Sequence, residues 1–364
     1  MCSGVILQMA TIRMNKGNVQ NKDLADIPVS VLDLATIVEG ETAADAFKRS
    51  RTLAQHAERL GYTRYWFAEH HNMESVASAA TAVLIGYVAG GTSSIRVGSG
   101  GVMLPNHAPL IIAEQFGTLA SLYPHRIDLG LGRAPGTDPL TSYALRRDRK
   151  GDVDEFPNDV VELLHYLGPR DPTAKVRAVP GEDTNVPVWL LGSSTYSAQL
   201  AAMLGLPFAF ASHFAPTYLL DALELYRTNF KPSRYLQKPY SMACVNVIAA
   251  DTDADAQYLA TSFYQMALGM VRNQRRPLPP PIAGMEGFWS EAEQGHIQHM
   301  TQYAFIGSTD TVHSGLQSFL DTTGVNEIMI TSHVYDLKAK LKCYELVAPF
   351  FKKRDNRIDA SLQL

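Results

Sequence analysis

Residues Ile95–Leu131 read IRVGSGGVMLPNHAPLIIAEQFGTLASLYPHRIDLGL. Ile95–Gly98 predicts a short apolar strand. Pro109–Leu122 predicts a helix with proline in its first turn, and Ile127–Leu131 a second apolar strand. Strands with apolar residues on both faces, separated by a helix, are parallel strands buried on both sides. The same unit recurs in both directions along the chain.

Upstream, Ile27–Leu32 predicts a strand and Ala43–Leu60 a helix, with Thr42 as N-cap and Gly61 as stop. Tyr65–Phe67 is a strand and Ala79–Ala89 a buried helix. Downstream, Val160–Leu167 is helical, Pro187–Leu191 a strand, and Thr195–Leu204 a helix stopped by Gly205. Strands Phe208–Ala211, Ser241–Ala250 and Glu327–Thr331 follow, with helices Tyr218–Phe230, Ala254–Met270, Asp310–Asp321 and Leu337–Val347. Eight strands with a helix after each fit an α/β fold of the (β/α)8 TIM-barrel type. A doubly wound open sheet is the alternative. Its dinucleotide fingerprint is absent, since Asp33-Leu34-Ala35 follows the first strand.

Residues 134–158 and 272–301 interrupt the alternation as insertions, the second with Pro277-Leu278-Pro279-Pro280-Pro281. Long insertions of this kind serve as lids, binding loops or plain surface excursions. The expected organisation is an N-terminal extension over 1–26, one barrel over 27–349, and a C-terminal tail over 350–364.

Composition narrows the class. The 364 residues are 46% hydrophobic and 19% charged, with a formal charge of −4. That suits a large core and gives no global attraction to nucleic acid or anionic lipid. Cys2, Cys244 and Cys343 show neither zinc spacing nor a disulfide framework, which reads as a reduced, cytoplasmic protein. The charge-free stretch Ser75–Ile95 is too rich in Gly, Ser and Thr for a membrane span.

In a parallel barrel the chemistry lies just after the strands. Ala68-Glu69-His70-His71-Asn72 follows the second strand. Neighbouring strand residues face opposite ways, so His70 and His71 cannot both face the lumen. An imidazole there suits proton transfer or a structural hydrogen bond. The pair Gly100-Gly101 after the third strand permits a bulge or the close approach of a flat ligand. Arg133 after the fourth strand can reach a phosphate. Ser193, Ser194 and Ser197 open the helix after the fifth, where free N–H groups favour an anion, although serine is also an ordinary N-cap.

Taken together, Tyr65–Asn72, Arg96–His107, Asp128–Thr137, Pro187–Ser194 and Thr331–Asp336 resemble the bacterial luciferase-like flavin monooxygenases, specifically their single-chain subgroup. The resemblance runs in order over about Ile27 to Pro349. It implies a (β/α)8 barrel and reduced FMN delivered by a separate NAD(P)H:flavin reductase. It further implies that O2 adds to the flavin and the peroxyflavin oxidises a small organic substrate. A homodimer and the absence of a metal are also implied. His70 falls on the catalytic histidine, and Gly100 and Gly101 on a non-proline cis peptide against the flavin. Arg133, Ser193, Ser194 and Ser197 fall on the phosphate site, and Ala68 beside the flavin, where luciferase has a larger apolar residue. Ser193 replaces a glutamate and Gly132 a cysteine, so light emission is not implied. The rival readings are an F420-dependent dehydrogenase on the same barrel, a non-catalytic flavin-binding protein, and a metal-dependent hydrolase using His70 and His71.

Overall fold

The computed structural model describes residues 22–134, 138–146 and 155–352. Among the described residues there are nine parallel strands: β1 (Val29–Asp33), β2 (Arg64–Phe67), β3 (Arg96–Met103), β4 (Ile127–Gly132), β5 (Val188–Gly192), β6 (Phe208–Phe210), β7 (Ser241–Ala249), β8 (Ala304–Gly307) and β9 (Glu327–Thr331). Hydrogen bonding runs from β6 through β5, β4, β3, β2 and β1 to β9 and β7, and β6 also pairs with β7. Eight strands therefore close into a barrel. The ninth, β8, pairs only with the outer half of β7, from Asn246 to Ala249.

The expected (β/α)8 barrel is the observed fold, and β8 is an addition to it. Sequence reading left Ala304–Gly307 unassigned because four residues carry too little periodicity to identify a strand.

Local chemistry sets the helix bounds. In α1 (Ala43–Leu60) Thr42 and Asp45 form a reciprocal capping box, and Gly61 ends the helix in the left-handed region at φ 88°. Helices α2 (Thr81–Ala89) and α3 (Pro109–Leu122) follow β2 and β3. Then come α4 (Pro139–Arg146) and α5 (Phe156–Leu167) before β5. Next are α6 (Thr195–Leu204), α7 (Leu219–Asn229), α8 (Asp253–Val271), α9 (Glu291–Met300), α10 (Thr309–Thr323) and α11 (Leu337–Val347).

Alternation along the strands divides the core. Val31, Tyr65, Phe67, Val97, Leu129, Leu190, Phe208, Val245 and Ile330 pack outward beneath the helices. Leu32, Trp66, Ala68, Trp189, Ala209, Met242, Cys244 and Met329 fill the lumen as a separate cluster.

Of the extension over 1–26, residues 22–26 are described and dock on the barrel. Leu24 is buried, and Lys22 Nζ donates to Gly324 O and Val325 O. Of the tail over 350–364, Phe351 is buried and the Lys352 amide donates to Ile27 O. The remaining residues of both segments lie outside those described. The insertion over 134–158 is described only in part and contains α4 and the first turn of α5. The segment over 272–301 is not merely irregular, because it contains α9, opened by a Ser290–Glu293 capping box.

Candidate active site

A charge cluster built on buried Arg64, Asp128 and Glu327 lies at the other end of the barrel from the expected site. Arg64 binds Asp128 at 2.8 Å and Glu327 at 3.1 Å, and Arg96 reaches Asp128 at 2.5 Å. Ser30 donates to Glu327, Tyr240 Oη donates to Glu327 at 2.9 Å, and Trp66 Nε1 to Asp128 at 3.1 Å. Arg64, Arg96, Asp128 and Glu327 stand at or next to the first residues of their strands. They plug the floor of the lumen, opposite the face that carries chemistry in this architecture. Burial would raise the Asp128 carboxyl, but Arg64 and Arg96 outweigh it and hold the group at about 2.

At the mouth, the two adjacent histidines lie in the loop after β2 and meet different partners. Trp66 and Ala68 belong to the lumen cluster, and His70 follows them. His70 interacts electrostatically with His213, which follows β6. His71 Nε2 meets Glu69 Oε1 at 2.9 Å. His107 Nε2 meets the same oxygen at 2.8 Å, and the Met103 amide donates to Glu69 Oε2 at 3.3 Å. Burial would raise the buried Glu69 carboxyl, yet hydrogen bonds from His107 and His71 reverse this and lower it. Glu69, His71 and His107 also form a possible two-histidine, one-carboxylate ligand set, with ligand atoms within 4.8 Å of one another. The hydrolase reading placed a metal on His70 and His71, and the structure does not bring those two together in that set.

The β3 glycines are explained by close approach. The Gly100–Gly101 peptide is cis, and the register with β4 shifts between Ser99 and Val102. A Cβ on Gly100 would stand 2.9 Å from Leu32 Cδ1 and 3.1 Å from Trp66 Cε3. One on Gly101 would stand 2.7 Å from Gly130 O.

Next along the barrel, the ends of β4 and β5 meet as expected. The Arg133 guanidinium lies 3.9 Å from the centre of the Tyr196 ring, and it makes no ion pair among the described residues. Ser194 is the N-cap of α6 but makes no side-chain capping bond. Thr42, Thr252 and Ser290 do cap α1, α8 and α9 in that way. The first N–H groups of α6 therefore remain available beside a cation. Ser193 is exposed, while Ser197 is buried against Gly192. Ala68 lies in the lumen cluster, two residues before His70.

Across the mouth lies a second polar group that sequence reading missed. His213 stands three residues beyond β6 and His333 two beyond β9, and His333 stacks on Phe263 of α8 at 5.4 Å and 6°. Burial, then the nearby His333 and His70, push the His213 imidazole down to about 3. Burial, then Lys340, push His333 to about 3 as well. Both rings are neutral at physiological pH. Their position just after a strand is the signal that identified His70, and it could have identified them.

Two segments frame the mouth. Asn72 Nδ2 donates to Asp138 Oδ2 at 3.3 Å and Thr141 Oγ1 at 3.0 Å, which ties α4 to the histidine loop. Leu278 of the proline run is buried and pairs with the loop after β1, through Leu278 N to Ile37 O at 2.8 Å. In α9 only Ile297 is buried. His299 is exposed and meets Thr217 at 3.2 Å.

The family model described as luciferase-like monooxygenase matches residues 27–327. A luciferase-like monooxygenase of Escherichia coli K12 is 57% identical over 320 residues, covering 88% of this chain and 96% of that protein. The crystal structure of apo-MsnO8 shares the fold with a TM-score of 0.83 at 37% identity, covering 89% of this chain and 98% of that one. The oxygenating constituent of 3,6-diketocamphane monooxygenase from Pseudomonas putida, solved with FMN, aligns with a TM-score of 0.65 at 19% identity, over 90% of this chain and 100% of that one. At that identity the likeness concerns the fold alone.

Proposed function

The chain belongs to the luciferase-like monooxygenase family, and we propose that it uses reduced FMN and O2 to oxidise a small organic substrate. The observation that carries the reading is the cradle at β4 and β5. Arg133 lies on Tyr196 without a carboxylate partner among the described residues, beside an α6 N-terminus that its own N-cap side chain leaves open. This arrangement suits a phosphate dianion. The Pseudomonas putida oxygenase that was solved with FMN has the same fold.

Arg133 and the first N–H groups of α6 would hold the phosphate, with Ser193 and Ser194 as added donors. Flavin bound there in its reduced form supplies the electrons that activate dioxygen. The lumen cluster of Leu32, Trp66, Ala68 and Trp189 closes the barrel beneath the mouth and keeps water out from below. His70 holds or moves a proton at its ring nitrogen on the lumen side. Glu69, through His71 and the Met103 amide, steadies the loop that carries it.

An NAD(P)H:flavin reductase belongs to this reading as the supplier of reduced flavin. A second copy of the chain belongs to it as well, supported by exposed Val83 and Tyr87 on α2 and Ile111 and Leu122 on α3. No described helix is long and apolar enough to cross a membrane, and a cytoplasmic location accords with that reading.

The test is titration of the purified protein with FMN, oxidised and chemically reduced without air, and with F420. Preference for reduced FMN is expected. Preference for F420 would replace oxygenation by hydride transfer, and binding of neither would remove flavin from the account.

A further inference from the structure

The far side of the mouth contains three buried polar atoms that find no hydrogen-bond partner among the described residues: His213 Nδ1, His333 Nδ1 and Asn246 Oδ1. They come from three consecutive barrel staves, β6, β7 and β9. Asn246 and His333 are 2% and 7% exposed, so solvent does not simply meet the need. Met242 and Cys244 face the lumen and Asn246, in the same strand, continues their row, while His213 and His333 lie just beyond the ends of β6 and β9.

The chemistry of the three atoms is specific. Asn246 Nδ2 donates to His213 O at 2.6 Å, which fixes the amide orientation and leaves Oδ1 as a pure acceptor. Each imidazole Nδ1 either donates or accepts, according to its tautomer. Buried polar atoms in this state are costly unless something pairs with them.

We propose that His213, Asn246 and His333 form the substrate-recognition half of the mouth, taking an uncharged group that both donates and accepts hydrogen bonds, an amide or a hydroxyl. The assignment rests on the reading of the barrel as an enzyme for a small organic substrate. It deepens that reading by naming the group recognised. A carboxylate fits poorly, because it brings no hydrogen for Asn246 Oδ1 and meets neutral imidazoles. A purely apolar group would leave all three atoms unpaired. The flavin cradle lies on β4 and β5, and β6 is the stave next to β5, so the two groups occupy separate staves of one barrel.

The experiment is ligand-observed NMR on the full chain with three probes of similar size: N-methylacetamide, N,N-dimethylacetamide, which lacks the N–H, and acetate. N-Methylacetamide should bind with a dissociation constant at least about fivefold lower than either of the others, the scale of one well-placed hydrogen bond. Asn246→Leu should erase that preference. His333→Phe, which retains a ring against Phe263, should reduce it and stands in if the leucine variant does not fold. Equal binding of the three probes, or a preference unchanged in both variants, would overturn the proposal and leave these atoms bound to water only. FMN titration of the same samples separates the two readings. Loss of flavin binding with the amide preference intact counts against the monooxygenase, and the reverse result counts against this subsite alone.

Discussion

His70 and His71 are neighbours in the loop after β2 and have different surroundings. His70 interacts electrostatically with His213, and His71 binds the buried Glu69. His70→Ala is therefore expected to lower reduced-flavin-dependent turnover by about 10² or more, the usual weight of a proton-transferring side chain. The FMN dissociation constant should stay within about twofold, because the phosphate is held two staves away. Unchanged turnover in that variant would remove His70 from the mechanism. Arg133→Ala should weaken FMN by roughly 10- to 100-fold, as for a lost charge-assisted hydrogen bond. Riboflavin, which has no phosphate, should lose almost nothing, and equal losses for both would count against the phosphate role.

Among the elements, α6 and the proline segment matter most for the mouth. The N-cap of α6 was legible as a serine in Gly192-Ser193-Ser194. That its hydroxyl makes no capping bond was not, because the bond depends on a side-chain rotamer and not on residue type. Over 272–301, the run of prolines indicates an extended backbone and nothing about what it covers. The structure docks it on the loop after β1, with Leu278 only 1% exposed. Leu278→Ala should destabilise the protein by about 2–5 kcal/mol, the range for an emptied buried leucine site. Early proteolytic cleavage near that segment would accompany the loss. A denaturation midpoint like that of the parent, with no new cleavage, would show that the segment is an independent surface excursion.

For the molecule as a whole, the floor of the lumen and its mouth respond to acid for opposite reasons. Asp128 is held at about 2 in the folded chain, against roughly 3.9 when unfolded. Its contribution is complete above the unfolded value and is lost as pH falls through the folded one. Asp128→Asn should cost about 3–5 kcal/mol at neutral pH, because it breaks the buried ion pair with Arg64 and removes the carboxylate that Arg96 binds. A loss under about 1 kcal/mol in chemical denaturation would contradict this. His213 and His333 act earlier on the pH scale. Their folded values of about 3 lie below the unfolded value near 6.5. Below about pH 6.5 the unfolded chain takes up protons that the folded chain refuses, so stability falls as acid is added. Denaturant midpoints between about pH 7 and 5 should decline in the parent and decline less in His333→Phe. Parallel profiles would mean that the ring is not held neutral.

The sequence by itself determined the barrel, because buried parallel strands must be apolar on both faces and that pattern is local. It also determined the helix ends at Thr42, Gly61 and Gly205, where capping depends on residues within one turn. Residue order placed His70, Arg133 and the serine turn after their strands, since the chemistry of this fold lies there. Only the tertiary structure decided that Glu69 joins His71 to His107, which is 38 residues from Glu69 in the chain. The same holds for His213, Asn246 and His333. These contacts close through the barrel, between segments far apart in sequence, and no spacing along the chain records them.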